Sequence, residues 1–452
     1  MVVLKQLALT GFTWNSLESL SIFDSVRFYI HNQFTWSQNG LYVQPQYQGG
    51  GKNGFGLDEF FQYCKDIQVN PRPCFNMLPT WLAQQWNGDP YAKPILRNAD
   101  PLKPESYQLV ANYYFNLAAR YGSVRVDHSR LFVNTEVRWN MQNEVKSGLN
   151  LLRELECDNE SLAWWRGDDS KFSPEEYAVF FSMCYDGHEG RFENCGVKNA
   201  DPNFILWMCG LSEMNTDHLD RIVAHLKLIR SDWDIIKHVH FHHYPNKGND
   251  EGFMPKQWIE GCSPEQDNIE MRLNRMRVWR DNNLPNAQLA YTEFGYDTNP
   301  TGPSWQKCYT QKNQADWITR MYLLGIKCGI DTLAVFNLSD EGNSDSGNLF
   351  ASCGIMTNEF TKYKPKIAFN SIKKLIQELN GFEFIKDVSS GGNRILMFEN
   401  DSMIKYFYWN PLVSKQIRIN KFRVYATTTP KIHRVLKSQS HEKVNTKSKE
   451  IL

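Results

Sequence analysis

The sequence predicts an α/β fold, a (β/α)8 barrel followed by a small C-terminal antiparallel β-domain. Eight short runs rich in β-branched and aromatic residues recur through about residue 375. Helical patterns lie between most of these runs, and after about residue 376 the chain changes to short alternating segments. With 452 residues, the chain is long enough for one large domain and an appendage.

The eight runs alternate with helices, which is typical of a parallel sheet. Eight such units in roughly 375 residues fit a barrel with long loops. A doubly wound sheet is the alternative, but no GxGxxG motif follows the first run. The runs occupy residues 7–14, 25–32, 67–77, 149–160, 203–211, 235–244, 287–296 and 331–340.

Helix boundaries are marked by capping residues. The segment 104–122 has Pro in its first turn and Gly at its end. Ser173 is a predicted N-cap, with acids in the first turn that follows and Gly187 at the predicted end. Apolar residues at three- and four-residue spacing predict two further helices. These cover residues 216–232 and 313–329.

The C-terminal region reads as antiparallel strands separated by Gly, Asn, Asp and Pro. We predict a barrel over residues 1–375 and a β-domain over 376–437. The polar residues 438–452 form a predicted disordered tail.

Composition excludes some classes of partner. Fifty basic and fifty acidic residues give a net charge of zero, so neither nucleic acid nor an anionic membrane is expected as partner. The sequence contains no run of about 18 apolar residues, so no membrane span is predicted. The first residues read as the start of the fold and not as a signal peptide. This indicates the cytoplasm by default, and a secreted or periplasmic location if a leader has been removed.

The ten cysteines include no CxxC pair, which argues against a zinc ribbon or a redox motif. Cys157, Cys209 and Cys328 lie in apolar runs and are predicted to be buried thiols.

Candidate site residues lie where the predicted strands end, because barrel active sites form at the carboxyl ends of the strands. Glu160 closes the fourth run and Glu293 lies in the seventh. Two carboxyl groups are what hydrolysis of a glycosidic bond requires. Four of the further candidates, Trp36, Trp81, Trp164 and Trp165, are either stacking platforms for sugar rings or packing residues. The remaining candidates are Arg27, His31, Trp36, Trp81, Asn159, Trp164, Trp165, His242, His243, Tyr244, Phe336 and Asn337.

A second Asn-Glu pair, Asn143-Glu144, follows a tryptophan and imitates a catalytic signature. Polar residues surround it, and the apolar run begins only after Gly148. We therefore predict that Glu144 lies in the loop entering the fourth strand and that Glu160 is the acid.

Four motifs carry a resemblance to a known family. These are "GLNLLRELECDNESLAWW" (148–165), "FSPEEYAVFFSMCYDGHEG" (172–190), "FHHY" (241–244) and "EFGYDT" (293–298). In order and spacing they resemble motifs of retaining (β/α)8 glycoside hydrolases, near the branch of β-xylosidases and α-L-iduronidases. They are most similar to a group of bacterial barrel proteins of that type. The resemblance spans roughly residues 7–375.

The resemblance implies roles for individual residues. Glu160 corresponds to the family's acid/base and Glu293 to its nucleophile. Asn159 would hydrogen-bond the substrate's 2-hydroxyl, and Tyr244 would hold the nucleophile ionised. A retaining mechanism implies carboxyl groups about 5–5.5 Å apart and needs no cofactor.

Two residues depart from the family's pattern. Asp158 stands where Trp is usual before Asn-Glu, and Ser161 stands where Pro is usual after it. Asp158 either lies close to Glu160 as a like charge or pairs with Arg27. Both changes bear on substrate choice and on activity.

Two other functions stay open. A carbohydrate-binding or structural protein would keep the barrel without turnover. A metal-dependent hydrolase would use His238, His240 and His242, which share one strand face. That function needs ligands from other strands, for which only His31 is a candidate. There is no G-x-S-x-G elbow and no phosphate loop.

Overall fold

The computed structural model describes residues 6–10, 14–31, 35–42, 56–138, 141–247, 260–298, 306–308, 310–342, 350–437 and 449–450. Across these residues, none of the helices combines the length and the apolar character that crossing a bilayer demands.

All eight predicted runs contain a strand. The strands are β1 (Gln6–Thr10), β2 (Ser25–His31), β3 (Asn70–Asn76), β4 (Glu154–Glu156), β5 (Ile205–Trp207), β6 (His238–His242), β7 (Gln288–Phe294) and β8 (Thr332–Phe336). The chain forms two compact units. The central unit comprises Asp24–His242 and Trp279–Gln288, and the terminal unit comprises Met1–Phe23, His243–Val278 and Leu289–Leu452.

The central unit contains β2 to β6, and the ladders that join β2, β3, β4 and β5 are parallel. Every residue of β4 and β6 is buried, as expected where both faces of a parallel sheet are covered. Isolated parallel bridges continue the pairing beyond the strand ends, from Asn159 to Gly210 and from Leu211 to Phe241. The residues that follow β4, β5 and β6 are therefore brought to one edge.

The terminal unit contains β1, β8 and most of β7. β8 pairs in parallel with both other strands. The register between β7 and β8 shifts between Tyr291 and Phe294. Glu293 lies within this irregularity, and such bulges re-aim side chains next to functional sites.

In the part of the chain that the structure describes, seven longer α-helices separate and follow the strands, with two short α-helices (Thr80–Ala83 and Val197–Ala200) and six 3-10 helices, the first of them Trp14–Ile22. The longer α-helices are α1 (Leu57–Asp66), α2 (Gln108–Tyr121), α3 (Pro174–Gly190), α4 (Thr216–Ile229), α5 (Ile269–Asn283), α6 (Gln311–Lys327) and α7 (Ile367–Leu379).

Helix α3 begins as the sequence predicts. Ser173 accepts a hydrogen bond from the Glu176 N–H at 3.2 Å, and the Glu176 carboxylate accepts one from the Ser173 N–H at 2.8 Å. This capping box satisfies two orphan N–H groups. At the other end, the backbone leaves helical geometry from Asp186 to Glu189, with Gly187 at φ +68°.

The C-terminal strands are antiparallel. They are β9 (Glu383–Asp387), β10 (Arg394–Glu399), β11 (Met403–Trp409), β12 (Lys415–Ile419), β13 (Phe422–Ala426), β14 (Lys431–Leu436) and β15 (Lys449–Glu450). One sheet has the order β9-β10-β11-β14-β15, and β12 and β13 form a separate hairpin. The sheet and the hairpin share a hydrophobic core, which contains Ile395, Tyr406, Tyr408, Ile417, Ile419, Val424, Ala426 and Val435.

The tail predicted to be disordered is only partly described. Residues 449–450 pair with β14, whereas 438–448, 451 and 452 lie outside the described residues. The domain boundaries at 375 and 437 stay predictions. All ten cysteines are buried free thiols, in agreement with the expectation for Cys157, Cys209 and Cys328.

Candidate active site

In the central unit, a strained turn after β4 holds Glu160. Asp158 has φ +70° and Glu160 has φ +48°, a region that non-glycine residues rarely occupy. The Glu160 N–H donates to the Gly210 carbonyl at 3.1 Å. The turn thus depends on the strand end beside it.

Both carboxylate oxygens of Glu160 have a partner. Nδ1 of His242 lies 2.6 Å from Oε1, and the indole N–H of Trp165 donates to Oε2 at 2.5 Å. The Glu160 side chain is 14% exposed. Among the described residues, no lysine or arginine forms an ion pair with Glu160.

Gly210 makes the position of His242 possible. A Cβ at residue 210 would lie 2.3 Å from Nε2 of His242. The imidazole therefore packs directly over the glycine backbone, and no larger residue fits there without moving the ring.

Arg27 lies beneath this turn and is fully buried. Its guanidinium donates to both oxygens of Glu156, at 2.5 and 2.7 Å. Burial alone would raise the pKa of Glu156, but the charge and the hydrogen bonds of Arg27 lower it to about 2. Arg27 was a candidate substrate contact; the structure instead places it in a buried ion pair.

Arg27 also fixes the orientation of Asn159, whose Oδ1 accepts a hydrogen bond from the guanidinium at 2.7 Å. The amide N–H2 of Asn159 therefore points away from Arg27. It has no hydrogen-bond partner in the part of the chain that the structure describes, which leaves it available to a ligand's hydroxyl.

Asp158 does not pair with Arg27, which corrects one of the two expectations for this residue. Arg166 donates to Asp158 at 3.0 Å, and the Ser161 hydroxyl donates to it at 2.8 Å. Arg166 also donates to the Asn159 carbonyl. The two residues that depart from the family's pattern thus bond to each other and close the turn.

The other strand histidines have packing roles. His238 stacks on Trp207 with ring centroids 4.1 Å apart, and His240 bonds to the Met208 carbonyl. Burial lowers the pKa of each imidazole to about 4, which keeps both rings neutral.

The four tryptophans differ. Trp36 is 6% exposed and stacks on Tyr113, and Trp81 meets it edge-on and donates to its carbonyl. Trp164 is half-buried. Trp165 packs against Tyr91 while its N–H reaches Glu160, a contact that the sequence did not indicate.

Glu144 lies in the segment before β4, as predicted. Its side chain is 64% exposed and pairs with Lys146 at 2.8 Å. The hydrogen bond and the charge of Lys146 lower the pKa of Glu144. This acid is an exposed loop residue.

His31 ends β2, and its side chain lies outside the part of the chain that the structure describes.

In the terminal unit, Glu293 is 5% exposed. The Tyr244 hydroxyl donates to its Oε2 at 2.9 Å, and the His243 N–H donates to the Glu293 carbonyl at 3.1 Å. The His243 ring lies 2.7 Å from Asp267. The backbone pairing of His243 with Glu293 therefore brings Tyr244 to the carboxylate.

Further polar groups follow β8. Asn337 donates to Glu341 at 2.8 Å, and Phe336 packs against Tyr244 with ring centroids 6.3 Å apart. Burial, with the charge of Glu293 adding to it, raises the pKa of Glu341. Glu341 thus adds a carboxyl group close to Glu293. It was not among the site candidates.

No family model matches the chain, and no curated protein matches it. Its fold, however, is found in solved structures. A family 39 glycoside hydrolase from Bacteroides cellulosilyticus WH2 is 14% identical with a TM-score of 0.63, over 95% of this chain and 80% of that one.

Two further neighbours have TM-scores of 0.51. A GH30 endoxylanase from Clostridium papyrosolvens C71 is 10% identical over 93% of this chain and 85% of that one. AbfB, a family 51 α-L-arabinofuranosidase from Bifidobacterium longum, is 11% identical over 92% and 82%. These likenesses confirm the predicted fold class, a (β/α)8 barrel with a small C-terminal antiparallel β-domain.

Proposed function

We propose that the protein is a retaining glycoside hydrolase, with Glu293 as nucleophile and Glu160 as acid/base. The observation that carries the proposal is the environment of Glu160. At the end of a buried strand, its carboxylate is held by His242 and Trp165 and not by a lysine or arginine of the described residues. A carboxyl group that must give and take a proton needs such partners, because a salt bridge would favour the ionised form.

The solved structures with this fold support the proposal, since their names describe glycoside hydrolases of families 39, 30 and 51. The motifs that resemble retaining enzymes assign the same two glutamates to the two roles.

In the first step, a carboxylate oxygen of Glu293 attacks the anomeric carbon. The bond from that carbon to the leaving oxygen breaks, and Glu160 gives its proton to the departing alcohol. In the second step, Glu160 takes a proton from water. The water oxygen attacks the anomeric carbon and releases Glu293. The two carboxyl groups must stand roughly 5–5.5 Å apart for this sequence, a separation that stays a prediction.

Neighbouring residues take supporting roles in the proposal. The Tyr244 hydroxyl stabilises the ionised form of Glu293 through its 2.9 Å hydrogen bond. The Asn159 N–H2, oriented by Arg27, donates to the 2-hydroxyl of the sugar, a contact that strengthens in the transition state. The proposed partner is a carbohydrate, and no cofactor enters either step.

The test is hydrolysis of a panel of aryl glycosides by the full chain. Turnover of at least one sugar is expected, with loss of activity in Glu293→Ala and strong loss in Glu160→Gln. Glu144→Gln is the matched control and should keep activity, because its side chain is exposed and paired with Lys146. Sugar binding without turnover would contradict the proposal and favour a carbohydrate-binding barrel. Activity lost on treatment with a strong chelator would instead favour a metal-dependent hydrolase.

A further inference from the structure

The β12–β13 hairpin has one buried and one exposed face. Its buried face packs Ile417, Ile419, Val424 and Ala426 into the core of the β-domain. The opposite face, which we call the hairpin face, presents four exposed side chains. These are Gln416, Arg418, Arg423 and Tyr425.

The surrounding segment is strongly basic although the whole chain is neutral. Residues 402–437 contain no Asp or Glu. Their basic residues are Lys405, Lys415, Arg418, Lys421, Arg423, Lys431, Arg434 and Lys437. A whole-chain net charge of zero therefore conceals a local excess of positive charge.

Three basic residues of the neighbouring five-stranded sheet are neutralised. Lys405 and Arg434 pair with Glu378 at 3.0 and 2.5 Å, and Arg394 pairs with Glu270 at 2.7 Å. The hairpin face differs, because neither of its arginines forms an ion pair with any residue that the structure describes.

The two arginines lie directly opposite each other in the antiparallel register, Arg418 with Arg423. Like charges in this position repel each other and destabilise a hairpin. An anion placed between the two guanidinium groups would remove the repulsion, and bidentate pairing with a carboxylate is the contact that guanidinium groups favour.

An aromatic ring accompanies the charges. Tyr425 is 56% exposed and lies two residues from Arg423 on the same face, about 7 Å along the strand. Gln416 is its cross-strand partner, and Nζ of Lys431 lies 6.0 Å from the ring centroid. An exposed ring beside hydrogen-bonding and cationic groups suits a flat, partly apolar ligand that also carries negative charge.

We propose that the hairpin face binds an acidic polysaccharide. The Tyr425 ring stacks on one sugar ring, and Arg418 and Arg423 pair with the carboxylate of a uronic acid unit. A nucleic acid fits less well, because its affinity rests on many phosphate contacts, whereas the hairpin face offers only two arginines. This binding site is independent of the hydrolase proposal, since none of its residues has a role in the proposed hydrolysis.

The test is affinity electrophoresis of the full chain in gels containing polygalacturonate, with a neutral xylan as reference polymer. Polygalacturonate should retard the protein more than xylan does. Arg418→Gln/Arg423→Gln should weaken binding about tenfold or more, and Tyr425→Ala several-fold. The control Lys373→Gln/Lys386→Gln removes the same number of charges from exposed positions of α7 and β9, and should bind as the wild type does.

Several results would overturn the proposal. These are unchanged binding in the double arginine variant, equal loss in the control, or retardation by duplex DNA with the same dependence on Arg418, Arg423 and Tyr425. Aryl glycoside turnover, measured on the same variants, separates the two proposals. Turnover should persist when hairpin binding is lost, and failure of turnover in the wild type would leave the binding result intact.

Discussion

The indole N–H of Trp165 donates a 2.5 Å hydrogen bond to the carboxylate of Glu160. The ring is itself held edge-on against Tyr91, with centroids 5.2 Å apart. A tryptophan that the sequence offers as a sugar platform thus serves, in the structure, to position the proposed acid/base.

Trp165→Phe keeps an aromatic ring but removes the donor. A hydrogen bond to a charged group contributes roughly 1.5–3 kcal/mol, so kcat/KM should fall about 10- to 100-fold. The loss should be largest for glycosides with poor leaving groups, because only these need protonation. Rates measured across a series of aryl leaving groups check this. The control Trp233→Phe changes a half-buried tryptophan whose ring lies 4.4 Å from Nζ of Lys227, and should leave the leaving-group dependence as in the wild type.

Gly210→Ala should displace His242. The added Cβ would lie 2.3 Å from Nε2 of the imidazole, so the ring must leave its place beside Glu160. We expect kcat/KM to fall about as far as in His242→Ala. The double variant should be no worse than His242→Ala alone, since the clash has then been removed. Fully additive losses would contradict this account.

Glu156→Gln should destabilise the protein strongly. It leaves the guanidinium of Arg27 buried without its counter-charge, which costs roughly 3–5 kcal/mol. The double variant Arg27→Met/Glu156→Leu removes both charges and should recover most of that stability. Its activity should stay low, because Asn159 loses the partner that orients it. Urea unfolding and kcat/KM, measured on the same samples, separate the two effects.

Stability should fall as the solution is acidified from neutral pH. Burial lowers the pKa of His238 and His240 to about 4, and Arg27 helps to lower that of Glu156 to about 2. Each folded value is below the ordinary one, so the unfolded chain takes up protons first. The histidine contribution is lost as pH falls from about 6.5 towards 4, and the Glu156 contribution from about 4.5 towards 2.

The variant His238→Phe tests the contribution of the buried histidines to the pH dependence of stability. The ring that stacks on Trp207 remains, but it no longer titrates. Urea midpoints measured between pH 7 and pH 4 should decline less steeply in this variant than in the wild type. Parallel curves would contradict the assignment.

The sequence predicted the fold because its signals are local. Each of the eight apolar runs contains a strand, and Ser173 with Glu176 formed the predicted cap. Glu144 could be placed in a loop from the polar residues around it. These features depend on patterns within a few residues.

The details of the candidate site depend instead on side-chain directions. Asp158 turns towards Arg166 because its backbone adopts a positive φ, which no residue pattern indicated. Trp36 is buried by Tyr113, 77 positions further along the chain (113 − 36). The opposed arginines of the hairpin face follow from strand register, and a whole-chain charge cannot reveal them.

Peptide mapping of a trapped intermediate tests the central claim most directly. The protein would be incubated with the 2-deoxy-2-fluoro analogue of whichever aryl glycoside it hydrolyses, then digested and examined by mass spectrometry. The account predicts one covalently bound sugar, attached to Glu293. A sugar attached to another carboxylate, or hydrolysis with inversion and no adduct, would contradict it.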